Sequence, residues 1–193
     1  MFTKNRTYEQ HDNEKISFYR SSVNDLSFED QLTSNIDADI CIIGGGLTGI
    51  SSAINLRKKG YSVILCEARK IGWGASGRNG GQLGIGMRKD QFTIEKKLGF
   101  KHAKELWNLG LEAVDDVKSL INEHKINCHL VNGVLSAACF EKDIEEYQFE
   151  IEHMSKHYNF EGYKFYNESQ IREEVNSNMY IAGMLNSGSY HLN

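Results

Sequence analysis

Gly44, Gly46 and Gly49 stand in the spacing GxGxxG, and an acid, Glu67, follows 18 residues after the last of them. The chemistry open to such a set is capture of a nucleotide with a diphosphate bridge. Gly44 permits a tight turn, Gly46 lets backbone approach the pyrophosphate, and Gly49 lets a helix pack closely on a strand. Unpaired N–H groups at the start of that helix, and its dipole, attract the phosphate charge. Glu67 would accept hydrogen bonds from the adenosine ribose hydroxyls and would repel a 2′-phosphate, which disfavours NADP. A second glycine-rich stretch, IGWGASGRNGGQ at 71–82, comes directly afterwards. In it Ser76 can donate a hydroxyl to phosphate, Arg78 supplies charge and Asn79 can hydrogen-bond a ring edge. Gly80 and Gly81 leave room for a flat ring.

The elements around these residues have the order needed to position them. DICIIG at 39–44 is a β-branched apolar run ending in glycine, which suits a buried parallel strand. LTGISSAINLRKKG at 47–60 has Ile50, Ala53, Ile54 and Arg57 at helical spacing, with Gly60 placed as a stop. YSVILCE at 61–67 is a second strand, so strand, helix and strand form one βαβ unit. Residues 91–124 read as helix from the recurrence of Ala103, Leu106, Trp107, Gly110, Val114, Val117 and Ile121. CHLVNGVLSAACF at 128–140 reads as two strands joined by a hairpin at Asn132 and Gly133. A helix is expected over 141–158, with Ile144, Tyr147, Ile151, Met154 and Tyr158 as its apolar stripe. YKFY is a strand, ESQIREEV a short helix and MYIAGML a further strand.

Composition narrows the class. With 193 residues, 40% hydrophobic and 25% charged, the chain is globular in character. Apolar runs fall short of a membrane span, and the polar start lacks a secretory core, so a cytoplasmic location is expected. Cys41, Cys66, Cys128 and Cys139 lack CxxC spacing, and three of them lie in apolar strand-like runs. A net charge of −4 without a basic stripe argues against a nucleic-acid partner.

The glycine fingerprint alone leaves NAD and FAD open, since both use this fold. The second glycine-rich loop suggests a cofactor that extends along the protein, with backbone against a ring as well as against phosphate. At these residues the chain resembles a known family. DADICIIGGGLTGISSAINLRKKGYSVILCEARKIGWGASGRNGGQ is similar to the amino-terminal part of the D-amino-acid-oxidase-like FAD-dependent oxidoreductases, especially the gamma-glutamylputrescine oxidoreductase branch. Weaker similarity runs upstream to SFYRSSVN and downstream through INCHLVNGVLSAA to GSYHLN, which resembles a turn near the middle of the family's chain.

The resemblance implies an α/β fold in which a Rossmann-like FAD-binding βαβ unit is followed by the start of an α+β substrate domain, truncated relative to the family. The corresponding segments are an amino-terminal arm at 1–38, the FAD-binding unit and flavin loop at 39–90, packing helices at 91–127 and a partial substrate domain at 128–193. By position, Gly44, Gly46, Thr48 and Gly49 match the pyrophosphate turn, and Glu67, Ala68 and Arg69 the ribose-binding segment. Ser76, Gly77, Arg78, Asn79, Gly80, Gly81 and Gln82 match the loop that passes the ribityl chain and flavin. No proton-transfer catalyst is assigned. Residues 71–82 contain neither His nor Cys, so noncovalent FAD is expected. The implied reaction oxidises a C–N bond of an amine or amino acid, a gamma-glutamylputrescine-like substrate first among them, with oxygen or another acceptor taking the electrons. Two other readings stand beside it: an NAD-dependent dehydrogenase, and a non-catalytic nucleotide-binding subunit paired with a separate carboxy-terminal chain.

Other signals have plainer readings. His153 and His157 lie four apart on a helix, but with no third ligand nearby they are expected on a solvated face, and no metal site is assigned. His191 is expected as a structural turn residue, Trp73 as a packing residue anchoring its loop, and Tyr147, Phe149 and Tyr158 as helix packing.

Overall fold

Ile40–Ile43 (β1) and Val63–Cys66 (β2) pair in parallel, with Ile40 opposite Val63 and Ile43 opposite Cys66. In the computed structural model, which describes residues 18–21 and 31–193, they belong to the first of two units, 1–79 and 80–193. A clasp sets their register at the start. Asp39 Oδ2 accepts from the Ser62 N–H at 2.8 Å and from the Ser62 hydroxyl at 2.6 Å. Those bonds hold the Asp39 carboxyl below its ordinary range. The helix between the strands spans Leu47–Lys58 and stops at Lys59, followed by Gly60 with φ 92°. It lies on the face that carries Ile42, because the Cβ position of Gly49 is 3.4 Å from Ile42 Cγ2. Cys41 and Ile43 point to the other face and are exposed, Ile43 to 89%. Of the amino-terminal arm expected at 1–38, Phe18–Ser21 forms a helical turn (α1), so the helix at Leu47–Lys58 is α2. Most of the arm, including the ends of SFYRSS, lies outside the described residues.

The second unit is built on an antiparallel sheet whose central strand is Ala182–His191 (β6). Val131–Ala138 (β4) pairs along one edge of β6, while Tyr163–Tyr166 (β5) and the short Gln82–Leu83 (β3) share the other edge. Helix α3, Gln91–His124, is interrupted at Gly99, where φ 78° and ψ 157° leave helical geometry. Helix α4 spans Glu141–Tyr158, and α5 spans Glu168–Val175 with Asn167 as its cap. Trp107 of α3 and Met154 and Tyr158 of α4 make the core, with Ile85, Leu111, Phe160 and Tyr163 packed around them. Ala103, Trp107, Gly110 and Val114 are buried at the helical interval that marked them in the sequence. Residues 80–90, read in the sequence with the βαβ unit, fall in this second unit.

Two sequence expectations change here. Asn132 and Gly133 do not turn a hairpin: β4 runs through them as one strand, with a register shift between Asn132 and Val134. Gly133 takes φ 99° there, so its freedom serves a bulge, and the ten-residue β6 supplies partners on both sides of it. Asn132 Nδ2 secures the bulge by donating to the Ser187 carbonyl at 2.6 Å. The last strand also begins later and runs further than MYIAGML, so that His191 and its neighbours lie in β6 opposite Val131 and Gln82 instead of in a turn.

His153 is corrected as well. It is not on a solvated face: its side chain is 15% exposed, and its Nε2 is 2.7 Å from Glu95 Oε1. Tyr158 donates to the same carboxylate oxygen at 2.7 Å, and Gln91 Nε2 donates to the Tyr158 hydroxyl at 3.0 Å. The i, i+4 spacing brings His153 and His157 within 4.7 Å, yet among the described residues no group of three metal-ligating side chains converges. No helix among those residues is long and apolar enough to cross a membrane.

Candidate dinucleotide-binding site

Chain leaves β1 at Gly44, whose φ of 105° starts the turn and whose N–H donates to the Cys66 carbonyl at 2.8 Å. A Cβ at Gly49 would run into the Gly44 carbonyl oxygen, so the first turn of α2 is as close to the strand as backbone allows. A Cβ at Gly46 would lie 3.0 Å from Ser76 Oγ. Gly46 caps α2 without a side chain to fill the helix mouth. Of the first N–H groups, Leu47 donates to Ser76 Oγ at 3.0 Å. Thr48 and Gly49 hold theirs at the mouth, where no intrahelical acceptor exists and negative charge is favoured.

Glu67 directly follows β2 and reaches back to this turn. Its Oε2 accepts from the Gly45 N–H at 2.6 Å and its Oε1 from the Arg69 N–H at 2.9 Å. The Gly45 bond first, then the Arg69 bond, hold the carboxyl below the ordinary carboxylate range, against a smaller opposing effect of burial. An ionised carboxylate offers about four acceptor positions, so these backbone bonds leave capacity for a ribose hydroxyl. Ala68 is exposed beside it.

The loop that follows is tied to the turn by the Gly72 N–H, which donates to the Gly45 carbonyl at 2.9 Å. Ala75–Gly77 form a 3₁₀ turn that carries Ser76 to the mouth of α2. Asn79 Nδ2 donates to the Ser76 carbonyl at 2.8 Å and thereby closes this turn. Arg78 Nε donates to the Trp73 carbonyl at 3.0 Å. In the second unit, Gly81 accepts from the Leu192 N–H at 2.8 Å, and Gln82 pairs with His191; Gly80 adjoins them and is exposed.

Comparison with known proteins meets this geometry directly. The family model described as FAD dependent oxidoreductase matches residues 39–193. The chain belongs to this family. Gamma-glutamylputrescine oxidoreductase of Escherichia coli (strain K12) is 34% identical over 176 residues, 91% of this chain and 41% of that protein. The probable oxidoreductase OrdL of Haemophilus influenzae is 33% identical over 97% of this chain and 43% of its own length. The chain therefore spans about two fifths of the length of these two curated relatives. Among solved structures, glycine oxidase from Geobacillus kaustophilus superposes with a TM-score of 0.60 at 19% identity, over 80% of this chain and 40% of that one. L-amino acid deaminase from Proteus vulgaris gives 0.61 at 18% identity, over 86% and 37%. These two likenesses establish the shared fold.

The family's cofactor fits the residues present. A cradle that a Cβ at Gly46 would crowd, first-turn N–H groups and an anchored carboxylate are the donors and acceptor that a dinucleotide requires. The structure brings Gly44, Gly46, Thr48, Gly49, Glu67 and Ser76 to one turn, and it uses Gly77, Arg78 and Asn79 to build the adjoining loop. Sequence reasoning missed Gly45, whose N–H orients Glu67, and Ile71, whose side chain lies against Gly45. Neither carries a spacing signal, because both act through backbone position or simple bulk.

Proposed function

We propose that this chain supplies the FAD-binding part of an oxidoreductase that oxidises a C–N bond of an amine or amino acid. Residues 39–90 would hold noncovalent FAD, 91–127 would be packing helices, and 128–193 would begin the substrate domain. The observation that carries the reading is the joint anchoring of Glu67 on the Gly45 N–H and of Ser76 on the Leu47 N–H at one helix mouth. When bound, FAD would supply the acceptor for a hydride, two electrons with one hydrogen, from the carbon next to the amine nitrogen, the nitrogen losing a proton as the C–N bond becomes an imine. The chain's own residues bind and orient. Thr48 and Gly49 N–H would face the diphosphate, the Ser76 hydroxyl would donate to it while accepting from Leu47, and Glu67 would take a ribose hydroxyl. Gly80, Gly81 and Gln82 would carry backbone past the ring. The relative from Escherichia coli, named for gamma-glutamylputrescine, supports a gamma-glutamylated amine as the substrate class to try first. Oxygen or another acceptor would close the cycle.

Gel filtration of the purified chain with excess FAD tests the reading: the protein peak should carry flavin absorbance, and a well-folded colourless peak overturns it. A panel of gamma-glutamylated diamines and amino acids, read by peroxide formation and by dye reduction, then tests turnover.

A further inference from the structure

Two guanidinium groups lie close to the Trp73 ring. Arg69 Cζ is 3.7 Å from the centre of its ring and Arg78 Cζ is 4.9 Å away, while Arg78 Nε also holds the Trp73 carbonyl at 3.0 Å. Like charges are thus drawn to one side chain, because the negative face of an indole attracts cations. The loop that bears Trp73 is fastened to the glycine turn and the mouth of α2 at two points: the Gly72 N–H donates to the Gly45 carbonyl, and the Leu47 N–H donates to Ser76 Oγ. Trp73 therefore stands among the anchors of the turn, and the charges it gathers are fixed to the same frame. Long arginine side chains lose much freedom when a ligand immobilises them, and a stack formed beforehand removes that cost from binding.

We propose that Trp73 is a positioning residue for the cofactor: it holds Arg69 and Arg78 as preset positive charge on the loop beside the diphosphate turn. The role rests on the FAD-binding reading above. It goes beyond packing, because its loss should change the electrostatic part of FAD affinity, which salt screens.

The full 193-residue chain is titrated with FAD by flavin fluorescence at salt concentrations from roughly 0.05 to 0.5 M. Trp73→Ala should raise the FAD Kd about ten-fold at low salt and much less at high salt, while Trp73→Phe, which keeps a ring face, should recover most of the loss. An unchanged Kd, or a rise of equal size at both salt concentrations, overturns the role. If Trp73→Ala fails to fold by circular dichroism, a double-mutant cycle of Trp73→Phe with Arg69→Met and with Arg78→Met decides. Coupled effects on Kd support the stack and additive effects overturn it. A folded wild-type chain that leaves FAD free overturns the cofactor reading itself, an outcome distinct from wild-type binding that Trp73→Ala leaves intact.

Discussion

At the scale of single residues, Glu67 shows how the turn is prepared before any ligand arrives. Backbone donors on both sides aim its carboxylate and stabilise its charge, so Glu67→Gln should weaken FAD binding about ten-fold, since hydrogen bonds to a charged group contribute about 1.5–3 kcal/mol. The sign of the pH effect follows from the lowered pKa. Stability from the ionised form is present above the unfolded carboxyl value and is lost as pH falls through the lower folded one. Thermal midpoints of wild type and Glu67→Gln measured between neutral and acid pH should therefore converge at the acid end. Gly49→Ala tests the close approach in the same turn. Its methyl would strike the Gly44 carbonyl, with an expected loss of about 1–3 kcal/mol in chemical denaturation. The tight turn and close helix approach were legible because GxGxxG between a strand and a helix marks places where backbone must come near backbone. Gly45 was not, because a backbone N–H leaves no mark in residue type.

Elements repeat that contrast. The β1, α2 and β2 sequence was legible from apolar runs and a glycine stop, and α4 from its stripe, because each is decided within its own segment. The bulge at Gly133 and the full length of β6 were not, since pairing partners far along the chain decide them. His153 misled for a related reason: Glu95, 58 positions away, takes it out of solvent. The cluster of Gln91, Glu95, His153 and Tyr158 now makes a stability prediction for the contact of α3 with α4. Tyr158→Phe removes the donor to Glu95 and the acceptor for Gln91, and should cost about 1–3 kcal/mol in denaturant unfolding. Burial is the main cause that pushes the Tyr158 hydroxyl to about 12 from its ordinary 10.0. The neutral form is thus favoured on folding; its contribution is fully present below the unfolded value and is lost as pH rises toward 12. Wild type should accordingly lose stability more steeply than Tyr158→Phe across that alkaline interval.

For the whole molecule, the two units differ in how far their apolar surface is covered. The second has a core in which Ala103, Ala138, Ile171 and Ala182 are fully buried. The first has two parallel strands with a helix on the Ile42 face, while Ile43 on the other face is 89% exposed. Parallel sheets are ordinarily covered on both faces, so this surface departs from the pattern and invites self-association. The 193-residue chain should therefore bind a hydrophobic dye and show a concentration-dependent size in gel filtration. Ile43→Lys should reduce both while leaving the helical circular dichroism unchanged, because Ile43 lies opposite the face that carries Ile42 and α2. If the variant keeps the dye and the larger size, the sticky surface lies elsewhere, and Met179, Phe140 and Leu109 of the second unit are exposed side chains to change next.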